Sequence, residues 1–539
     1  MKEKIIIIGA GAAGLSAALE LAGKGRECLL VSEVPSERTQ SVMAEGGMNA
    51  ATDKEKDSPA IHAEDTLKAG RNIADPEAVK RLTEAGPEII DRLFSSGMSF
   101  SLNAMGEPDV RPFGGQSQKR THFAAANTGK QLMHTLIDQT RRYETEGLIE
   151  RMTGWLFLRL IHKDGISYGC ELIHSITEEK KTVYGKVIIA SGGLGGMFGN
   201  ATGTVRNTGY VSASLFSSGV TMSNLEFVQY HPTTVSLHGK NMLITEAVRG
   251  EGGRLFTLRD GKPYYFMEDK YPEKGNLMPR DVIAREEWFI IREGGKVYLD
   301  MSHLDKKVSM VKLKGVVDDC KQFLGLDPTK EPIPVEPGVH YFMGGICVDA
   351  DHRTSMKNLY AAGECACQYH GANRLGGNSL LGALHGGAAA ADSAIADPTF
   401  DSEKVPTLSE EPSYKMEKKN VPGSFVDYKQ ELNGILQRGL GITRDEKTLQ
   451  EALSKIDSLI EKAKVSYDDT ASEAENRQVL VSALLGKAML LSAEARKESR
   501  GAHTRTDYPG EQEAFQKQSY AEYKDGKYTI YFQKAGERA

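Results

Sequence analysis

The sequence predicts an α/β fold built on a parallel sheet, and three glycine-rich strand ends predict it. Ile5 to Ile8 is a continuous β-branched run, as a strand buried on both faces requires. Gly9-Ala-Gly11-Ala-Ala-Gly14 follows it, and Leu15 to Leu21 then has helical spacing. Val187 to Ala190 is a second such run and ends in Ser191-Gly-Gly-Leu-Gly-Gly196. A third begins at Leu359, passes Gly363 and Glu364, and turns helical from about Ser379. Glycines at the carboxyl ends of strands mark the crevice where open α/β sheets bind ligands.

The first turn is G-x-G-x-x-G between a strand and a helix. Gly9 permits the turn, Gly11 and Ala12 bring backbone to a pyrophosphate at the helix N-terminus, and Gly14 packs helix on strand. A second strand, Cys28 to Ser32, ends at Glu33 and completes a Rossmann-type dinucleotide unit, in which Glu33, Ser32 or a water takes the ribose hydroxyls. In the third turn, Gly363 lets the backbone approach a ligand and Glu364 can bring a carboxylate to a ribose. The next helix, started by Asn378 or Ser379, aims its positive end at whatever lies between. A reduced flavin, negative near N1 and O2, suits such an end. Arg374, a lone cation amid glycines, can grip a carboxylate with two prongs.

At 539 residues the chain is too long for one core, so about two to four domains are expected. A net charge of -6 without a Lys/Arg-rich face argues against a nucleic-acid partner. The cysteines Cys28, Cys170, Cys320, Cys347, Cys365 and Cys367 are scattered, with no C-x-x-C pair and no metal or cluster array, and read as reduced, cytosolic thiols. The apolar run at the N-terminus is too short to span a bilayer and unlike a secretory signal. Direct membrane insertion is therefore not expected; a partner would bring the chain to a membrane.

Helical spacing recurs over Ala78 to Phe94 and Thr128 to Tyr143, and Trp155 to Val187 alternates like a small β-meander. The segments Glu226-Phe-Val-Gln-Tyr-His-Pro-Thr233 and Thr245-Glu-Ala-Val-Arg-Gly-Glu-Gly-Gly253 come next, then Asn276-Leu-Met-Pro-Arg-Asp281 before a helix from near Val282. They gather four ionisable groups near Gly or Pro turns: His231, Glu246, Arg249 and Arg280. Each alone reads as readily as a core or surface residue. Asp401 to Gly423 has linker composition, Leu449 to Ala463 and Arg477 to Arg496 read as bundle helices, and Lys527 to Lys534 as a final strand. The basic Glu498-Ser-Arg-Gly-Ala-His-Thr-Arg505 segment reads alone as a capped helix end.

The loop Thr39-Gln-Ser-Val-Met-Ala-Glu-Gly-Gly-Met-Asn-Ala50, the HPT, TEAVRGEGG and PRD segments in order, HYFMGG around His340 and the SRGAH-x-R stretch resemble the succinate dehydrogenase/fumarate reductase flavoprotein family, which includes L-aspartate oxidase. The resemblance runs from Ile5 to about Tyr508. It implies FAD contacts at Ser41, Glu45, Gly46, Gly47, Gly192, Gly193, Ser379 and Leu380 besides the residues above. Membrane-complex members carry FAD on a histidine where this chain has Gln40, which implies FAD held without a covalent bond. In relatives, groups matching His231, Thr233 and His340 bind one carboxylate, and arginines matching Arg374 and Arg280 face the other end. Arg280 would transfer the proton, fed through Glu246 and Arg249. Aspartate oxidases carry glutamate at the position of Phe113, and fumarate enzymes carry phenylalanine. Thr234 departs from the glycine of many relatives.

The implied architecture is a Rossmann-type FAD-binding domain (1–225 and 345–400), an inserted α+β capping domain (226–344), a linker (401–423), a helical domain (424–515) and a C-terminal strand and tail (516–539). The implied activity interconverts fumarate and succinate by hydride transfer at flavin N5, with electrons exchanged through an iron-sulfur partner, since this chain has no cluster ligands of its own. The chain would be cytoplasmic, or membrane-associated through partner subunits. The competing reading is a soluble L-aspartate oxidase, supported by Gln40 and opposed by Phe113.

Overall fold

Five parallel strands form the sheet that the glycine turns predict, in the order Leu359–Ala361, Val187–Ile189, Ile5–Ile8, Cys28–Ser32, Ile149–Thr153. The computed structural model describes residues 4–237, 239–398 and 424–537, so the expected linker lies outside the described residues. Ile5–Ile8 explains its own composition. Ile5 and Ile7 pack on one face with Leu15, Leu21 and Leu381, and Ile6 and Ile8 on the other with Leu215 and Phe216. Each isoleucine so buried contributes about 1.5–3 kcal/mol. On the first face the helices Ala12–Gly23 and Asn378–Ala396 cross in close contact. A Cβ at Gly387 would stand 2.2 Å from the Ala13 carbonyl oxygen, so a larger residue would force the helices apart.

The meander is present as Trp155–Lys163, Ile166–His174 and Lys180–Tyr184, all antiparallel, and returns the chain to the parallel sheet at Val187–Ile189. Helices Pro76–Ser95 and Thr128–Thr145 match the periodic segments. Between the second and third glycine turns the chain forms a six-stranded sheet, in the order Lys240–Leu243, Val228–Leu237, Ile333–Phe342, Val297–Asp300, Arg254–Arg259, Lys262–Tyr264. Helix Arg280–Arg292 packs on its central strands. This layer has its own core, including Ile244, Phe266, Ile283, Leu299 and Val335.

Three helices, Phe425–Gly439, Glu446–Val465 and Glu473–Ala495, pack together; the first was not anticipated. Glu473–Ala495 is the one described helix long and apolar enough to cross a membrane, and most of it is buried inside the protein. The chain end differs from the expected single strand. Gln518–Lys524 and Lys527–Gln533 form a hairpin, and the first arm pairs with Met222–Ser223 in a sheet with Gly345–Cys347 and Ala366–Cys367. The SRGAH segment caps the helix before it, with Arg505 Nη1 donating to the Ala493 and Glu494 carbonyls at 3.3 Å each, and also takes part in a buried ion network. Arg496 meets Glu226 at 2.6 Å and Glu498 at 2.9 Å, and Arg500 meets Glu498 at 2.7 Å. All six cysteines are buried, and none of them forms a disulfide.

Candidate active site

A cleft of about 880 Å³ runs from the first glycine turn to the six-stranded layer. Gly9 has φ +114°, and a Cβ there would lie 2.2 Å from the Ala190 carbonyl oxygen. A Cβ on Gly14 would lie 1.8 Å from the Gly9 carbonyl oxygen, so this glycine seats the helix on the strand. Gly11 is the N-cap and supplies no side chain, while the Ala12 N–H donates to Ser41 Oγ at 3.0 Å. Glu33 lines the cleft with its carboxylate paired to Arg206. Buried Ser32 Oγ has no partner.

The other strand ends converge on the same cleft. Gly192 has φ +78°, and a Cβ on Gly193 would stand 2.4 Å from Glu364 Oε1. Glu364 is half-buried, and desolvation pushes it up to about 7; its Oε1 accepts from the Phe342 N–H at 3.3 Å. Burial, with Asp319 adding, pushes Glu45 up to about 8. Gly46 lies against the Phe113 ring, and Gly47, at φ +137°, passes under the His122 carbonyl. The third helix begins at Asn378, but its N-cap is Gly377 at φ +88°, not Asn378 or Ser379. The Asn378 side chain is used elsewhere, accepting from Asn49 at 2.7 Å and His62 at 2.9 Å. Ser379 and Leu380 line the cleft. Two helix N-termini, contacts that only glycine allows and the orphan Ser32 hydroxyl together fit an elongated anionic dinucleotide.

At the far end the cleft is lined by Phe113, His231, Glu246, Arg280, His340 and Arg374. His231 and His340 come from the paired strands Val228–Leu237 and Ile333–Phe342, with ring centroids 5.0 Å apart. Burial, then Arg280, holds both imidazoles well below their usual range, so they are neutral. His231 Nδ1 accepts from the Thr233 N–H at 3.2 Å, which leaves its Nε2 to carry the proton. Thr233 itself does not line the cleft. Its hydroxyl donates to the Ile244 carbonyl at 2.6 Å, because the strand is irregular between His231 and Thr234 and turns it behind the histidine.

Arg280 is the first residue of its helix, where Pro279 is the N-cap. A cation there opposes the helix dipole, and Glu246 offsets it: Arg280 Nε and Nη2 reach Oε2 at 2.8 and 2.7 Å. The Gly114 N–H donates to Glu246 Oε1 at 2.8 Å. Burial raises the Glu246 pKa, but Arg280 and Arg249 outweigh it and the carboxylate lies below its usual value. Arg249 sits behind Glu246, outside the cleft lining, at 3.7 Å, and donates to the Asn276 carbonyl at 2.8 Å. Arg374 lies over the Tyr341 ring at 4.2 Å, and burial with Arg280 beside it pulls it down to about 9. At this end of the cleft two arginines and two neutral histidines thus surround one carboxylate, Glu246, already engaged. The complement of this end of the cleft is a small dianion.

Three contacts were not foreseen. Gln229 Oε1 accepts from Arg280 and from Arg374, each at 3.1 Å. Its amide nitrogen donates to Asn373 at 2.8 Å and to the Arg374 carbonyl at 3.0 Å. Thr202 Oγ1 meets His340 Nδ1 at 2.7 Å, and Tyr341 underlies Arg374. The one signal for Gln229 was its place two residues before His231 on the same strand.

Residues 4–380 match the FAD binding domain family and residues 429–535 match the fumarate reductase flavoprotein C-terminal family. The succinate dehydrogenase flavoprotein subunit of Bacillus subtilis is 37% identical over 94% of this chain and 92% of its own length. The L-aspartate oxidase of Mesorhizobium japonicum is 34% identical over 94% of this chain and 92% of its own length. Among solved structures, a mutant flavoprotein chain of E. coli quinol fumarate reductase superposes with TM-score 0.90 at 30% identity, covering 99% of this chain and 97% of that one.

Proposed function

Given that the chain belongs to the succinate dehydrogenase/fumarate reductase flavoprotein family of FAD-dependent oxidoreductases, we propose that it interconverts fumarate and succinate, working chiefly in the direction of fumarate reduction. FAD, when bound, supplies the hydride chemistry. Gly9, Gly11, Gly14, Ser32, Glu33, Gly192, Gly193 and Glu364 would hold its dinucleotide part, and Ser41, Glu45, Gly46, Gly47, Ser379 and Leu380 its ring end.

The residues at the far end divide the remaining work. His231, through Nε2–H, and His340 take one carboxylate, with Thr233 and Thr202 fixing the two rings. Arg374 and Arg280 take the other. Gripping both ends orients and polarises the double bond between them. His231, Thr233, Thr202, Arg280 and Arg374 are buried and His340 is half-buried, so little water reaches the site and each charge contact is strengthened. Arg280 delivers the proton to the carbon that does not receive hydride, and Glu246 with Arg249 replaces it.

The observation that carries the substrate class is the sharing of Gln229 Oε1 by two arginines beside apolar Phe113. The ammonium of aspartate needs a free carboxylate, and Glu246 is engaged on both oxygens. Gln40 supports FAD held without a covalent bond: its amide oxygen accepts from the Thr204 N–H at 2.5 Å, and its amide nitrogen, with the lone pair delocalised into the carbonyl, is not a nucleophile that can bond to a flavin carbon. In this family covalent attachment goes with a higher flavin potential, which favours the reductive direction here. An iron-sulfur protein is the proposed electron partner, and any membrane association runs through partner subunits, as for a cytoplasmic peripheral chain.

The test uses anaerobically reduced holoprotein mixed with fumarate, followed by flavin absorbance, with oxidised holoprotein and L-aspartate in parallel. Rapid reoxidation by fumarate with no bleaching by aspartate is expected. Bleaching by aspartate overturns the Phe113 argument. Acid precipitation should release the FAD into the supernatant; flavin retained in the pellet overturns the Gln40 argument.

A further inference from the structure

Glu287 lies on the inward face of helix Arg280–Arg292, one turn beyond Ile283 and two turns beyond Arg280. It is fully buried, and neither carboxyl oxygen has a hydrogen-bond partner. Burying an unpartnered carboxyl is unfavourable, more so if ionised, and apolar side chains fill most of this core at no such cost. Among the described residues, the charge that acts on Glu287 is Arg249, on the neighbouring helix Ala247–Gly250. Arg249 Nε and Nη2 are likewise buried without a hydrogen-bond partner, while Nη1 is held by Asn276. Arg249 and Glu287 stop short of a direct ion pair. Glu287 is therefore not spent as a counterion.

We propose that Glu287 is a positioning residue at the outer end of the proton relay, acting through Arg249. This rests on the reading of Arg280 as proton donor to fumarate. Each turnover adds a hydride, supplied by the reduced cofactor, to one carbon and a proton from Arg280 to the other. Glu246 is ionised and cannot refill Arg280 until Arg249 has given it a proton. That gift leaves Arg249 neutral in an apolar layer, and the Glu287 O–H is the acid within the layer that restores it. The Glu287 carboxylate then regains a proton from outside the layer, so one proton is taken up per fumarate. Burial holds the Glu287 pKa well above the ordinary carboxylate range, which keeps that proton in place at neutral pH.

The test compares holoprotein with Glu287→Gln, Glu287→Leu and Glu287→Asp. Infrared spectra in H2O and D2O at pH 7 should show a protonated carboxyl band that Glu287→Gln removes and Arg249→Lys shifts. In fumarate reduction, Glu287→Gln and Glu287→Leu should lower kcat at least 10-fold, with KM within about twofold and a larger solvent deuterium effect. Glu287→Asp should recover part of the rate, which a packing role would not predict. An absent band, or Gln and Leu variants with wild-type kcat and pH profile, overturns the proposal. If wild-type protein does not turn over fumarate, the substrate reading fails, and the infrared pair still decides whether Glu287 holds a proton coupled to Arg249.

Discussion

Arg280 binds Glu246 through one carboxylate oxygen: Nε and Nη2 both reach Oε2, while Oε1 is held by the Gly114 N–H. Oε1 is also the oxygen nearer Arg249, at 3.7 Å. The carboxylate thus presents separate oxygens to the two arginines, the arrangement a proton needs to enter on one side and leave on the other.

Glu246→Gln keeps the size and an acceptor for Gly114 but cannot carry a proton. We expect kcat for fumarate reduction to fall roughly 10²–10⁴-fold, the range for losing a positioned acid-base group, with KM little changed. Steady-state kinetics at saturating reductant check this. A loss confined to KM would place Glu246 in binding instead.

Gln229→Glu would satisfy Arg280 and Arg374 with a charge of the substrate's own sign. KM for fumarate should rise at least 10-fold while the flavin spectrum of the holoprotein stays the same. An unchanged KM would mean that the two arginines do not take a substrate carboxylate.

Gly501 has φ +54°, and a Cβ there would lie 2.5 Å from the Ala372 carbonyl oxygen, two residues before Arg374. Gly501→Ala should cost about 1–3 kcal/mol and lower Tm by several degrees. Because Ala502 N–H also donates to Ala372, at 2.9 Å, KM should rise with the loss of stability. Calorimetry and kinetics on one preparation test both.

Four of the five parallel strands, the turn glycines and the start of the Asn378–Ala396 helix were legible, because each depends on neighbours within one short segment; the edge strand Ile149–Thr153 was not. So was the charge of the site, carried by distinctive motifs. Gln229 was not, since its role exists only where residue 229 meets two arginines from distant segments. Thr233 was misplaced because a strand irregularity leaves no mark in composition. Nothing in the sequence singled out Glu287 within the helix expected from near Val282, and Gly377 took the N-cap because Asn378 was needed to tie Asn49 and His62.

His62 gives a pH test. Burial holds its pKa at about 4 in the fold, against about 6.5 for an ordinary histidine. The unfolded chain therefore takes up the proton first as pH falls. His62's contribution is intact above pH 6.5 and is lost progressively towards pH 4. Relative to His62→Gln, the wild type should lose about 2 kcal/mol between pH 7 and 5. Urea denaturation of both proteins at the two pH values measures the gap; a constant gap would mean that His62 titrates normally.

The pairing of Met222–Ser223 with Gln518–Lys524 joins partners about three hundred residues apart. Residue 222 also lies just upstream of the strand that carries Gln229 and His231. On the ribosome, then, the early part of the chain waits with an open strand edge while the six-stranded layer and the helices are made, and until the hairpin arrives that edge is free to pair with another chain.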